Sequence, residues 1–140
     1  LRANLTNGAV LVSIIRQTSR NITRFETVRD EARAGLEVFT EGDRRAELEG
    51  YLTFAERELS NLTPTRDDAL TSYGQSLESF VSGVDPILMR NAQDRLRIEL
   101  QMSGQQRLEE LVEQFLFDIE TYRANPELSR ADLVQLAVDP

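Results

Sequence analysis

A chain of 140 residues with 40% hydrophobic and 29% charged residues is long enough to bury a core as one domain and polar enough to stay in water. It holds neither cysteine nor histidine, which removes thiol nucleophiles, serine-histidine pairs, imidazole acids and bases, and ordinary zinc sites. Only carboxylates remain for acid-base or metal work, so the reading is a non-enzymatic protein with no metal and no cofactor. A net charge of -8 argues against nucleic acid as a partner, because phosphate binding draws on clustered positive charge. All sixteen basic residues are arginine.

From the first residues the pattern is helical. Leu11, Ile15, Thr18, Ile22, Phe25, Arg29, Ala32, Leu36 and Phe39 step alternately four and three, which is a heptad seam. Thr18 and Arg29 fall where a bundle buries hydrocarbon and so need partners for their polar groups. Arg29 cannot lose its proton; it either pairs with an internal carboxylate or receives an anionic ligand. This first helix is expected from near Ala9 to Thr40, about 45 Å at the helical rise, with Gly42 as a C-terminal stop and Asp43 capping the next helix.

A short second helix is expected on Leu48, Leu52, Ala55, Leu59 and Leu62, stopping at Thr63-Pro64-Thr65 because proline removes a helical donor. A short third helix carries Leu70, Tyr73, Leu77, Phe80 and Val84 and ends before Pro86, where Asp85 caps and Pro86 takes the first helical position. The fourth is expected from Ile87 to about Ala124, roughly 55 Å. Its faces, Leu88-Ala92-Leu96-Leu100 and Leu108-Leu111-Phe115-Ile119-Tyr122, are out of phase across Ser103-Gly104-Gln105-Gln106, the mark of a stutter, kink or change of packing partner. After Asn125-Pro126, Ser129 caps a short helix through about Val138 that stops at Asp139-Pro140. The expected fold is all-α: an antiparallel up-down-up-down four-helix bundle with long first and fourth helices and a short C-terminal helix. Residues 1–124 form the bundle, and 125–140 form an extension or the start of a second helical module.

The long-short-short-long layout, the stretch Ala32-Arg33-Ala34-Gly35-Leu36-Glu37-Val38-Phe39-Thr40-Glu41-Gly42-Asp43 and the Tyr73 to Val81 pattern resemble the extracytoplasmic four-helix-bundle sensor domains of bacterial chemoreceptors and related sensor histidine kinases. The resemblance spans about residues 8 to 124. It implies a periplasmic ligand-binding domain of a membrane-anchored homodimer that takes a small carboxylate or amino acid between helices. Carried onto this sequence, it makes Arg29, Arg24, Arg95, Asn91, Tyr73 and Thr18 the candidate ligand-binding residues. The break at Asn125-Pro126 fits a larger, helical bimodular sensor, and the opening on Leu1 without a methionine fits a piece of a longer protein. Each candidate also has a plainer role: ion pairing for the arginines, a backbone hydrogen bond for Thr18, core packing for Tyr73. The alternative function is a structural or adaptor bundle that recognises another protein, marked by an exposed apolar stripe.

Overall fold

A computed structural model describes residues 1–138. Five helices follow one another: α1 (Arg2–Val38), α2 (Asp43–Gly83), α3 (Pro86–Met102), α4 (Gln106–Ala124) and α5 (Arg130–Val138). Among the described residues there is no strand, and no helix is long and apolar enough to cross a membrane. The chain divides into two compact units: Leu1–Arg16 with the chain from Asp68 onward, and Gln17–Asp67.

The Gln17–Asp67 unit is a helical hairpin. Contacts between Phe25 and Phe54 (ring centroids 5.6 Å apart) and between Arg33 and Glu56 (3.2 Å) pair the two helices antiparallel. Leu48 packs against Gly35, where a Cβ would crowd it. At the turn Gly42 adopts φ 93°, a left-handed conformation that glycine takes without steric cost, and Arg45 donates to the Leu36 and Phe39 carbonyls at 3.3 and 3.0 Å. Those carbonyls are among the orphan acceptors of the ending helix α1.

The other unit holds the main core. Leu5, Ala9, Val12 and Ile15 of α1 meet Leu70, Tyr73, Leu77 and Phe80 of α2, Leu96 and Leu100 of α3, Phe115 and Ile119 of α4, and Leu133 and Ala137 of α5. Phe115 is the pivot. Its ring packs edge-on against Phe80 (5.3 Å, 86°) and tilted against Tyr73 (5.6 Å, 47°), and it lies directly on the backbone of Gly8, where a Cβ would overlap it. Helices α3 and α4 form an antiparallel hairpin, tied by Arg97–Glu113 (2.5 and 3.1 Å) and Gln101–Glu109 (3.0 Å).

Three expectations are corrected. The short second and third helices are one helix, because Pro64 does not stop α2. Leu48, Leu52, Ala55, Leu59, Leu62, Arg66, Ala69 and Tyr73 keep the four-three step through the proline, so a break would take the following apolar residues out of register. Pro64 is exposed, and the hydroxyl of Thr65 donates to the Asn61 carbonyl at 3.1 Å beside the lost backbone donor. The long fourth helix is two helices, so the phase change is a chain reversal. Gly104 has φ 70°, Gln105 N–H donates to the Leu100 carbonyl (3.0 Å) and Gly104 N–H to that of Gln101 (3.3 Å), which is the Schellman arrangement of a helix C-terminus. The first helix also starts earlier, at Arg2, and ends at Val38.

The caps at the later helices follow the sequence. Asp85 Oδ1 accepts from Ile87 N–H at 2.8 Å with Pro86 in the first turn. Ser129 and Asp132 exchange reciprocal bonds of 3.2 and 3.1 Å, a capping box with aspartate in the acidic position. The expected stop at Asp139-Pro140 lies outside the described residues.

Two substitutions test this account by chemical denaturation. Pro64→Ala, at an exposed helix interior, is expected to raise stability by about 1–3 kcal/mol; no gain would mean that the helix already accommodates the ring. Gly8→Ala is expected to lower it by about 1–3 kcal/mol through overpacking on Phe115.

Candidate functional site

The unit that holds the main core contains a buried polar chain. Asp118 on α4 is 0% exposed. One carboxylate oxygen accepts the Tyr73 hydroxyl, and the other accepts the Gln114 amide at 2.8 Å. The same amide nitrogen donates to the Leu136 carbonyl at 2.8 Å, while the Gln114 carbonyl oxygen accepts Arg16 Nη2 at 3.1 Å. Arg16 Nε donates to the Ala137 carbonyl at 2.5 Å. Arg16 thus caps the C-terminal end of α5, where free carbonyls and the helix dipole favour a cation. The chain joins α1, α2, α4 and α5.

Its electrostatics follow from burial. Desolvation raises the Asp118 carboxyl above its ordinary value, against the opposing bonds from Tyr73 and Gln114 and the charge of Arg16. The Tyr73 hydroxyl is raised as well, by burial first and then by the charge of Asp118 and its hydrogen bond. Asp118, Tyr73 and Gln114 are committed to one another, to Arg16 and to the end of α5, so the chain is a structural junction.

The residues named from sequence separate between the units. Arg24, Arg29 and Thr18 belong to the Gln17–Asp67 unit, and Tyr73, Asn91 and Arg95 to the other. Arg24 is exposed and Thr18 buried. Arg29 is half-buried, and carboxylates of its own helix match its charge, Asp30 at 3.0 Å and Glu26 at 4.0 Å. Tyr73 is core, with its hydroxyl committed to Asp118.

Asn91 and Arg95 come together. They line a groove of about 540 Å³ with Leu1 and Arg2 of the chain start and Leu88, Ala92, Leu96 and Glu99 of α3. Arg2 and Glu99 pair across it at 2.6 Å. Among the described residues Arg95 makes no ion pair or hydrogen bond, and the Asn91 amide is likewise unengaged. The groove therefore offers an apolar floor, a free guanidinium and a free amide.

Two other grooves differ in charge. One of about 450 Å³ on α4 is lined by Glu109, Glu110 and Glu113 with Phe117, the wrong sign for an anion. Another of about 300 Å³ is lined by Asn4, Asn7, Ser72, Gln75, Ser76 and Ser79 over Phe80 and Val84, with no charge at all. Sequence reading missed Arg66, whose Nε is sealed from water without an acceptor, as is the Ser19 hydroxyl. Arg66 occupies the seam of α2 as Arg29 occupies that of α1, and the four-three step continued through Pro64 would have found it. It also missed Asp118, which stands three residues after Phe115.

No protein-family model, curated protein or solved structure matches this chain.

The raised Asp118 carboxyl has a pH signature. Between the ordinary value of 3.8 and the raised native one, the folded state keeps a proton that the unfolded chain has lost. This group's contribution to stability is therefore full below the ordinary value and is lost as pH rises through the native one. Asp118→Asn keeps an acceptor for Tyr73 and cannot ionise. In urea denaturation over pH about 3 to 8, its stability relative to the native sequence is expected to improve with rising pH across that window; a pH-independent difference would contradict the assignment.

Proposed function

We propose that this chain is the ligand-binding part of a non-enzymatic sensor, with a small organic carboxylate or amino acid held in the α1/α3 groove. The supporting observation is the meeting of an unpaired arginine, Arg95, with the Asn91 amide over Leu88, Ala92 and Leu96. A guanidinium is the natural partner of a carboxylate because its planar donor fork matches two oxygens. Asn91 would donate to the remaining oxygen, and the leucines would cover the ligand's hydrocarbon. Glu99, already opposite Arg2, would accept the ammonium group of an amino acid.

In this reading α1, α2, α3 and α4 build an up-down bundle of the kind found in extracytoplasmic sensor domains of chemoreceptors and sensor histidine kinases. The parent protein would be a membrane-anchored homodimer, with the sensor in the periplasm. A ligand spanning α1 and α3 would bias the relative position of those helices, provided that it binds one arrangement better than the other. The binding role moves from Arg29, which is matched by its own helix, to Arg95.

A second reading has an observation of its own. Ile87, Leu88, Ile98 and Met102 are exposed on α3, which favours recognition of another protein through that helix.

A thermal-shift screen against small carboxylates and amino acids tests the first reading. A ligand at one hundred times its dissociation constant adds about 2.7 kcal/mol, a rise of several degrees for a domain of this size. The shift is expected to vanish in Arg95→Ala and to survive in Arg29→Ala. The reverse pattern would return the site to Arg29, and no shift across the panel would favour the protein-recognition reading.

A further inference from the structure

Two stretches of the chain avoid charge. Between Arg2 and Arg16 no residue is charged, and between Asp68 and Asp85 the only charged residue is Glu78, in a chain that is 29% charged overall. Burial does not account for this. Asn4, Asn7, Ser72, Gln75 and Ser79 in these stretches are exposed, on the side where a helix of a soluble fold ordinarily carries charge. Both stretches belong to one compact unit, and their polar residues converge. Asn4 and Asn7 of α1 line a groove of about 300 Å³ with Ser72, Gln75, Ser76 and Ser79 of α2, over an apolar floor at Phe80.

The polar groups of this groove are uncommitted. Thr6 and Ser82, on the same two helices, give their hydroxyls to carbonyls four residues back, at 3.1 and 2.7 Å. Among the described residues, Ser72, Ser76 and Ser79 make no such bond, and the amides of Asn4, Asn7 and Gln75 have no protein partner. Each amide and each hydroxyl can both donate and accept. A carboxylate or phosphate calls for a cation and an ammonium for an anion; this groove holds neither. Its complement is a neutral molecule whose own groups donate and accept at several points, which describes a sugar ring. Along each helix the polar groups recur at about one turn, about 5.4 Å, close to the separation of hydroxyls on opposite sides of a six-membered ring. The volume stands at the small end of ligand sites, which suits one ring and not a chain of them.

We propose that the α1/α2 groove is a binding site for a neutral monosaccharide, held by the amides of Asn4, Asn7 and Gln75 and the hydroxyls of Ser76 and Ser79, with Phe80 beneath the ring's C–H groups. Neutrality is the selective element. A carboxylate or ammonium on the ring gives up hydration here and finds no opposite charge in return. The site shares no residue with the groove at Arg95 and stands whether or not that groove takes an anion.

The test follows the side-chain amide signals of the nitrogen-15-labelled 140-residue chain during separate titrations with D-glucose, D-galactose and D-mannose at millimolar concentrations. At least one of the three is expected to give saturable shifts at Asn4, Asn7 and Gln75, with Asn21, Asn61 and Asn91 unmoved. The uronic acid and the amino sugar of that same hexose, which add a charge of either sign, are expected to bind about tenfold more weakly or worse. Asn7→Ala, at an exposed position, is expected to weaken binding by about tenfold through the loss of one hydrogen-bonding group, and circular dichroism checks that the variant is folded. Saturable shifts with none of the three hexoses would overturn the proposal, as would linear shifts spread equally over Asn21 and Asn61, which mark an adventitious additive only. Equal affinity for the charged sugars, or undiminished binding by both Asn7→Ala and Ser76→Ala, would overturn it as well.

Discussion

The arrangement of the larger unit depends on burying Asp118. A carboxylate with no exposure is costly unless each oxygen finds a donor, and leaving one buried partner unmatched costs about 1–3 kcal/mol against a gain of about 0.5–1.5 kcal/mol per bond made. The donors come from different helices, Tyr73 on α2 and Gln114 on α4, with Arg16 on α1 holding Gln114 and the last carbonyls of α5 in place. Hydrophobic contacts around Phe115 supply the bulk of the stabilisation but tolerate sliding. The polar chain does not, because a shift of one helical turn would separate Tyr73 from Asp118. With α4 fixed, the Arg97–Glu113 and Gln101–Glu109 contacts fix α3, and with it the groove at Arg95 and the apolar face beyond it.

Much of this fold was legible as periodicity. The four-three seam of α1 from Ile15 to Ala32, the caps at Asp85 and Ser129, and the turn at Gly42 follow from residue type and spacing, whereas Phe39 at the end of the expected seam lies beyond α1 and is 43% exposed. Pro64 was misread because local chemistry says stop, whereas the tertiary pattern on either side stays in phase and the ring faces solvent. Ser103-Gly104 was read as a slip within one helix. The spacing registers the change of face, and only the left-handed glycine and its two backbone bonds turn it into a reversal. Asp118 escaped because the apolar series Leu111, Phe115, Ile119 reads as a complete stripe, and a single carboxylate beside it looks like surface.

The site was legible in part. Asn91 and Arg95, both named through the resemblance, share a groove. Arg29 stood out because it interrupts a seam, but a two-helix hairpin leaves such a position half open, and Glu26 and Asp30 are within reach on the same helix. Leu88, read with Leu96 and Leu100 as one buried face, is exposed instead, since the core of α3 centres on Met89, Leu96 and Leu100. That rotation of the buried arc is set by packing against α4, which no count of apolar residues within α3 contains. It leaves Arg95 on the open side of the helix, between the groove and the apolar face.

The most direct measurement is a nitrogen-15 NMR titration of the chain with a small carboxylate, following the arginine Nε–H and asparagine side-chain signals. The account predicts saturable shifts at Arg95 and Asn91, with Arg24 and Arg29 unmoved. Saturable shifts at Arg24 or Arg29 with Arg95 silent would contradict it.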